Sequence, residues 1–141
     1  MSESTARGIQ LTRLGHGRYE ATNSKGVKLE LGMDSTAAFT PVELFLAAIA
    51  GCNAIDVDLI TGKRAQPVKF DISMSATKVR DDDGNHPVGL TLHLDVEFPE
   101  GDAGDAARES LPTAVTRSQN WLCTVGRTVE LGTPIIVTYD G

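Results

Sequence analysis

Cysteine is scarce in this chain of 141 residues: there are two, Cys52 and Cys123, and they form no Cys-x-x-Cys pair. Structural zinc sites need four suitably spaced ligands, which the chain does not offer. The 3 histidines, His16, His86 and His93, are scattered without His-x-x-x-His spacing. A metal trio of Cys52, Cys123 and His16 would have to converge from three distant segments, so no metal and no cofactor is expected. Aromatic residues make up 5% of the chain, too few for a base-stacking platform. Positive charge is in deficit, 13 Lys and Arg against 19 Asp and Glu, for a net charge of −6. That balance argues against nucleic acid and against anionic membrane surfaces, both of which require basic patches. The opening MSESTARGIQ has no apolar core of a secretory signal. A cytoplasmic location is therefore expected, where structural disulfides are rare, and the two cysteines are either inert packing residues or working thiols. No glycine-rich phosphate loop follows a strand, which leaves a nucleotide enzyme without support. A serine hydrolase is equally unsupported.

What the chain does have is one dominant stretch, Thr40 to Thr61. Thr40 is a suitable N-cap, Pro41 falls at the first helical position, and Glu43 lies three residues after the cap, which together spell a capping box. Gly62, followed by Lys63 and Arg64, supplies a stop with an αL-capable residue and two cations at the negative end of the helix dipole. Between them, Leu44 to Ala50, Ala54, Ile55, Val57, Leu59 and Ile60 leave little polar face. A helix apolar all round is buried all round or spans a membrane. Glu43, Asn53, Asp56 and Asp58 break the run below the roughly 18 residues of a membrane span, so the expectation is a long buried central helix and no membrane. A chain of this length is short for enclosing such a helix alone, which hints at a partner subunit. Cys52 sits within this helix, behind Gly51.

The rest reads in order as strands and a second helix. Residues 1–6 are polar. Ile9 to Leu14, Arg18 to Thr22 and Val27 to Leu31 alternate as strands, separated by turns at Gly15-His16-Gly17 and Asn23 to Gly26, a three-stranded antiparallel meander. Val68 to Val79 alternates again. Asp81 to Asn85 is a solvated hairpin tip, and Leu90, Leu92, Leu94, Val96 and Phe98 line one face of the return strand. Asp105 to Ser118 reads as a helix in which Pro112 starts a new turn or kinks it. Asn120 to Thr128 is a short element carrying Cys123, and Pro134 to Tyr139 is a closing strand. The expected order is βββ-α-ββ-α-β, a single α+β domain over residues 1–141.

The motif P-V-E-L-F-L-A-A-I-A-G-C at 41–52, a long β-hairpin, and a second cysteine shortly before the last strand resemble the osmotically inducible protein C and organic hydroperoxide resistance family (OsmC/Ohr). The likeness covers Gly15 to Tyr139. It implies an intertwined homodimer in which sheets of both subunits wrap the two central helices. It also implies a thiol peroxidase that reduces organic hydroperoxides, with Cys52 as the peroxidatic and Cys123 as the resolving cysteine. Electrons would come from a dithiol reductant such as protein-bound lipoamide.

The chemistry sets a demand of its own. A peroxidatic thiol must be a thiolate, a free cysteine titrates near ~8.5, and burial raises that value, so a cation is required. The family's arginine maps onto Arg18 in H-G-R-Y, with Arg13 and Arg117 in reserve; a solvated turn arginine is the plainer reading of Arg18. The family glutamate, counted back from the cysteine, maps onto Val42. Glu43 is one place later, about 180° around the helix from Cys52 at about 100° per residue, and its place in the capping box gives it a structural task instead. Asp56, one turn beyond Cys52, is the other supporting candidate. It reads either as a group that holds a cation or accepts a proton, or as a hydrogen-bonded core aspartate. Cys123 reads either as the resolving thiol or as a small buried hydrophobe beside Trp121 and Leu122. The expected function is a two-cysteine organic hydroperoxide reductase. The rival is a catalytically impaired relative that binds or senses a lipophilic small molecule at the dimer cavity.

Overall fold

The computed structural model describes residues 4–141. Of the polar N-terminal stretch, residues 1–3 lie outside the described residues, while 4–8 are exposed and form no regular element. The chain divides into two compact units, Met1–Phe45 and Leu46–Gly141.

The first unit is the expected meander. Strands β1 (Ile9–Gly15), β2 (Arg18–Asn23) and β3 (Lys28–Gly32) pair antiparallel in the order β1-β2-β3. The β1–β2 turn is two residues, His16 and Gly17, closed by Gly15 opposite Arg18. Gly17 has φ 65°, which a residue with a Cβ adopts only with strain, and a Cβ there would also overlap Met33. The β2–β3 turn is organised by Asn23, whose Oδ1 accepts the N–H of Lys25 (2.9 Å) and of Val27 (3.0 Å). The unit ends with the start of helix α1 (Pro41–Thr61). Its capping box forms as the sequence spells it. The Thr40 N–H donates to Glu43 Oε1 at 2.8 Å, and the Glu43 N–H donates to Thr40 Oγ1 at 3.2 Å.

The second unit takes the remainder of α1 and the elements after it. Strands β4 (Lys69–Asp81) and β5 (Gly84–Glu97) form a two-stranded hairpin from Asp81 opposite Gly84 to Lys69 opposite Glu97. Its tip is shorter and β5 starts earlier than the sequence suggests. A bulge between Ser75 and Thr77 lets the ladder continue past Gly89, so the polar run 84–88 pairs as strand. Leu92, Leu94 and Val96 are half-buried while Thr91, His93, Asp95 and Glu97 are exposed, the alternation expected of a hairpin with one dry face. Helix α2 (Asp102–Arg117) begins three residues ahead of the expected start and runs through Pro112; its buried stripe is Gly104, Ala107 and Ala114. A π-helical turn (Ser118–Leu122) and helix α3 (Thr124–Leu131) follow.

Three expectations are corrected. First, α1 is not a buried helix within this chain. Only Asn53, Val57 and Thr61 are buried, a stripe at i, i+4, i+8, whereas Ile55 is 62% and Leu59 66% exposed. One chain covers one face, and a helix apolar all round needs cover on the others. With mean hydropathy 1.7 over its best window, α1 also meets the length and composition of a membrane span. Second, there is no closing strand. Residues 133–141 have no regular structure, and Ile135, Ile136, Val137 and Tyr139 are 81–90% exposed. Their β-branched side chains suit a strand, but a strand needs a neighbour's N–H and C=O groups, and the described residues of this chain pair only within the meander, the hairpin and a single Leu31–Phe39 bridge. Third, Gly62 does not end α1 in the left-handed region. It still donates to Asp58 O at 2.8 Å, and a Cβ there would sit 2.6 Å from that oxygen, so glycine is needed for close approach rather than for positive φ.

Candidate functional site

The second unit gathers Cys52, Asn53 and Asp56 of α1 with Ser118 and Cys123 of the segment after α2. Asn53 is 7% exposed and Ser118 and Cys123 are 0% and 2% exposed, while Cys52 is half-buried; both cysteines are free thiols. Ser118 joins the two sides. Its hydroxyl donates to Asp56 Oδ2 at 2.8 Å and accepts from Asn53 Nδ2 at 2.9 Å. Its carbonyl accepts the N–H of Cys123 at 2.9 Å, the i to i+5 bond of the π-turn. Cys123 then caps α3, its Sγ accepting the Gly126 N–H at 3.3 Å.

Cys52 lies close enough to Cys123 to act on its thiol. Burial pushes the Cys123 thiol above its ordinary value of 9.0. The Gly126 N–H pulls the other way, while the neighbouring Cys52 thiol and the charge of Asp56 push it further up. Cys123 is therefore held as the thiol.

A cavity of about 310 Å³ adjoins this cluster, walled by Ile49 and Asn53 of α1, Met74 of β4, Leu92 of β5, and Gln119 and Cys123. Asn53 Oδ1 is buried and has no hydrogen-bond partner.

The sequence-derived candidates thus part into two groups. Cys52, Cys123 and Asp56 come together, and Asp56 is the hydrogen-bonded aspartate of its two readings. Arg18 belongs to the first unit, where its Nε (3.1 Å) and Nη2 (2.9 Å) both donate to Glu30 Oε1. Glu43 belongs there too and closes the capping box, leaving Val42, 39% exposed, beside it. Trp121, expected beside a buried Cys123, is 81% exposed. Among the described residues no three His, Cys, Asp or Glu side chains gather as a metal site. Sequence reading missed Ser118 and Asn53. A serine or asparagine has no signature of its own, but Ser118 continues the buried stripe of small residues of α2, and that spacing was the available signal.

A meander, a long apolar helix, a long hairpin and a helical C-terminal part define an α+β protein with two neighbouring free cysteines. Residues 32–138 match the family described as OsmC-like protein, and the chain belongs to that family. It is 28% identical over 129 residues to an uncharacterized protein of Mycobacterium tuberculosis, covering 90% of this chain and 91% of that one. Its fold is that of a hypothetical protein from Aquifex aeolicus, with TM-score 0.73 at 18% identity over 92% of this chain and 91% of that one. It is also that of an organic hydroperoxide resistance protein OsmC from Legionella pneumophila, with TM-score 0.65 at 14% identity over 91% of each.

Proposed function

We propose that this chain, as a single domain over residues 1–141, is a thiol-dependent reductase of organic hydroperoxides. The observation that carries the reading is the approach of Cys52 and Cys123: the chain's 2 cysteines, 71 positions apart in sequence, are brought together in one unit, with Ser118 linking the Cys123 turn to Asn53 and Asp56 beside Cys52. Family membership and the hydroperoxide-resistance name of the Legionella relative support it. The Cys52 thiolate attacks the distal oxygen of ROOH, the O–O bond breaks, and the alcohol ROH leaves with a proton, giving Cys52 sulfenic acid. The Cys123 sulfur then attacks Cys52, the S–O bond breaks, and water leaves as the disulfide forms. A dithiol reductant, of which protein-bound lipoamide is one, returns two electrons and two protons by thiol–disulfide exchange. In this reading Arg18 is the cation that favours the thiolate and orients the peroxide.

The reading includes a homodimer and a cytoplasmic location. Support for the dimer comes from α1, whose Ile55 and Leu59 are exposed one turn apart, and from the uncovered apolar residues 135–139. Sedimentation at micromolar concentration tests it; a monomer would overturn it.

The test of the reaction is a titration of the reduced protein with cumene hydroperoxide, followed by intact mass and a free-thiol count. Loss of both thiols and of two hydrogens from the monomer mass is expected, and Cys52→Ser abolishes it. Two unchanged thiols under excess peroxide overturn the reading. In that event the cavity favours the second reading, a binding protein for a small lipophilic molecule. Asn53 Oδ1 on its wall would accept from such a molecule's N–H or O–H. Binding of 2-phenyl-2-propanol, a product alcohol, by calorimetry tests that reading.

A further inference from the structure

We infer that Ser118 is the positioning residue of the disulfide step, holding Cys123 against Cys52. The inference rests on the two-cysteine reading and adds the residue that makes the pair. Cys52 is fixed by α1, but Cys123 follows a π-turn, a wide backbone form that needs external support to persist. Ser118 is the first residue of that turn and is fully buried. It touches both sides of the reaction. Its carbonyl holds the Cys123 N–H, and its hydroxyl holds Asn53, next in sequence to Cys52, and Asp56, one turn further along the same helix.

The hydroxyl's proton count makes the clamp directional. A serine hydroxyl has one proton and two acceptor lone pairs, a carboxylate only accepts, and a carboxamide does both. The proton therefore goes to Asp56, Asn53 presents its NH₂ to Ser118, and Asn53 Oδ1 is turned away and left unpartnered. Alanine at 118 would leave a half-buried carboxylate and a buried amide without this partner, and the π-turn would lose its anchor to α1. Asparagine at 56 keeps an acceptor oxygen for Ser118 and removes only the charge.

The experiment measures closure of the Cys52–Cys123 disulfide by diamide, which takes up the two electrons and two protons released as the S–S bond forms. It is followed by intact mass in wild type, Ser118→Ala and Asp56→Asn. Ser118→Ala is expected to close about tenfold more slowly, the equivalent of one charge-assisted hydrogen bond. Asp56→Asn keeps the acceptor for Ser118 and removes a charge that raises the Cys123 thiol, so it is expected to close no more slowly than wild type. With cumene hydroperoxide in place of diamide, Ser118→Ala should accumulate Cys52 sulfenic acid trapped by dimedone, with the rate of Cys52 oxidation unchanged. A purely structural role would not produce that split. Closure of Ser118→Ala at the wild-type rate overturns the inference. Should that variant fail to fold, Asn53→Ala removes one of the two bonds to the hydroxyl and is read the same way. The peroxidase reading fails on a separate result, a wild type that closes with diamide and ignores hydroperoxide.

Discussion

Glu43 and Thr40 satisfy each other's backbone N–H groups, at 2.8 Å and 3.2 Å, at the start of α1. A carboxylate engaged in this way has a structural task. Thr40→Ala is expected to destabilise the protein by about 1 kcal/mol. Glu43→Gln keeps an acceptor oxygen and should cost only a few tenths of that. Urea unfolding of both variants beside their rate of Cys52 oxidation checks this. A severe loss of oxidation rate in a folded Glu43→Gln would give the carboxylate a catalytic role instead.

Arg18 and Glu30 are 49% and 44% exposed, so their ion pair is worth at most about 1 kcal/mol. Arg18→Ala should therefore change stability by less than that. As the cation serving the thiolate, its loss should slow Cys52 oxidation by cumene hydroperoxide roughly tenfold or more, one pKa unit being a factor of ten. Unchanged oxidation in stopped flow would make Arg18 an ordinary strand residue and return Arg13 and Arg117 to consideration.

Gly104 is buried against the turn before α2, and a Cβ there would overlap the carbonyl oxygen of Pro99. Helix propensity alone favours alanine at this position by about 1 kcal/mol. Overpacking opposes it by about 1–3 kcal/mol, and because the obstacle is backbone the second effect should win. Gly104→Ala is expected to lower the urea midpoint; an unchanged or raised midpoint would mean that the Pro99 turn yields.

The thiol of Cys123, raised above 9.0 by burial, gives stability a pH dependence of definite sign. The folded state binds this proton more tightly than the unfolded state, so the unfolding free energy falls as pH rises. The contribution is full below the unfolded value and is lost as pH climbs through the folded one. Thermal unfolding of the reduced protein from about pH 8 to about pH 10 should show the decline, and Cys123→Ser should flatten it. An equal decline in both proteins would assign it to other groups.

Local chemistry was legible and long-range cover was not. The capping box formed as read, the turn read as Gly15-His16-Gly17 is His16-Gly17, and the dry face read from Leu90 to Phe98 holds from Leu92 on, with Leu90 exposed; all three depend on residues a few positions apart. The exposure of Ile55 and the unpaired 135–139 depend on whether a second surface is present, which no periodicity encodes. The site divides in the same way. The two cysteines and Asp56 were found because their residue types are rare or charged. Ser118 was missed because its importance lies in where the π-turn puts it. Gly62 was read for the right place and the wrong reason, since glycine serves equally for positive φ and for close contact.

The thiol cap on α3 also makes the helix a reporter. Cys123 Sγ accepts the Gly126 N–H at 3.3 Å, and a sulfur drawn into a disulfide must turn toward Cys52 and is a poorer acceptor. The amide of Gly126 should then shift in a nitrogen–proton NMR spectrum and exchange faster with solvent on oxidation. One backbone resonance, outside both cysteines, would thereby allow the redox state of the pair to be followed in real time in nitrogen-15-enriched protein, without a trapping reagent.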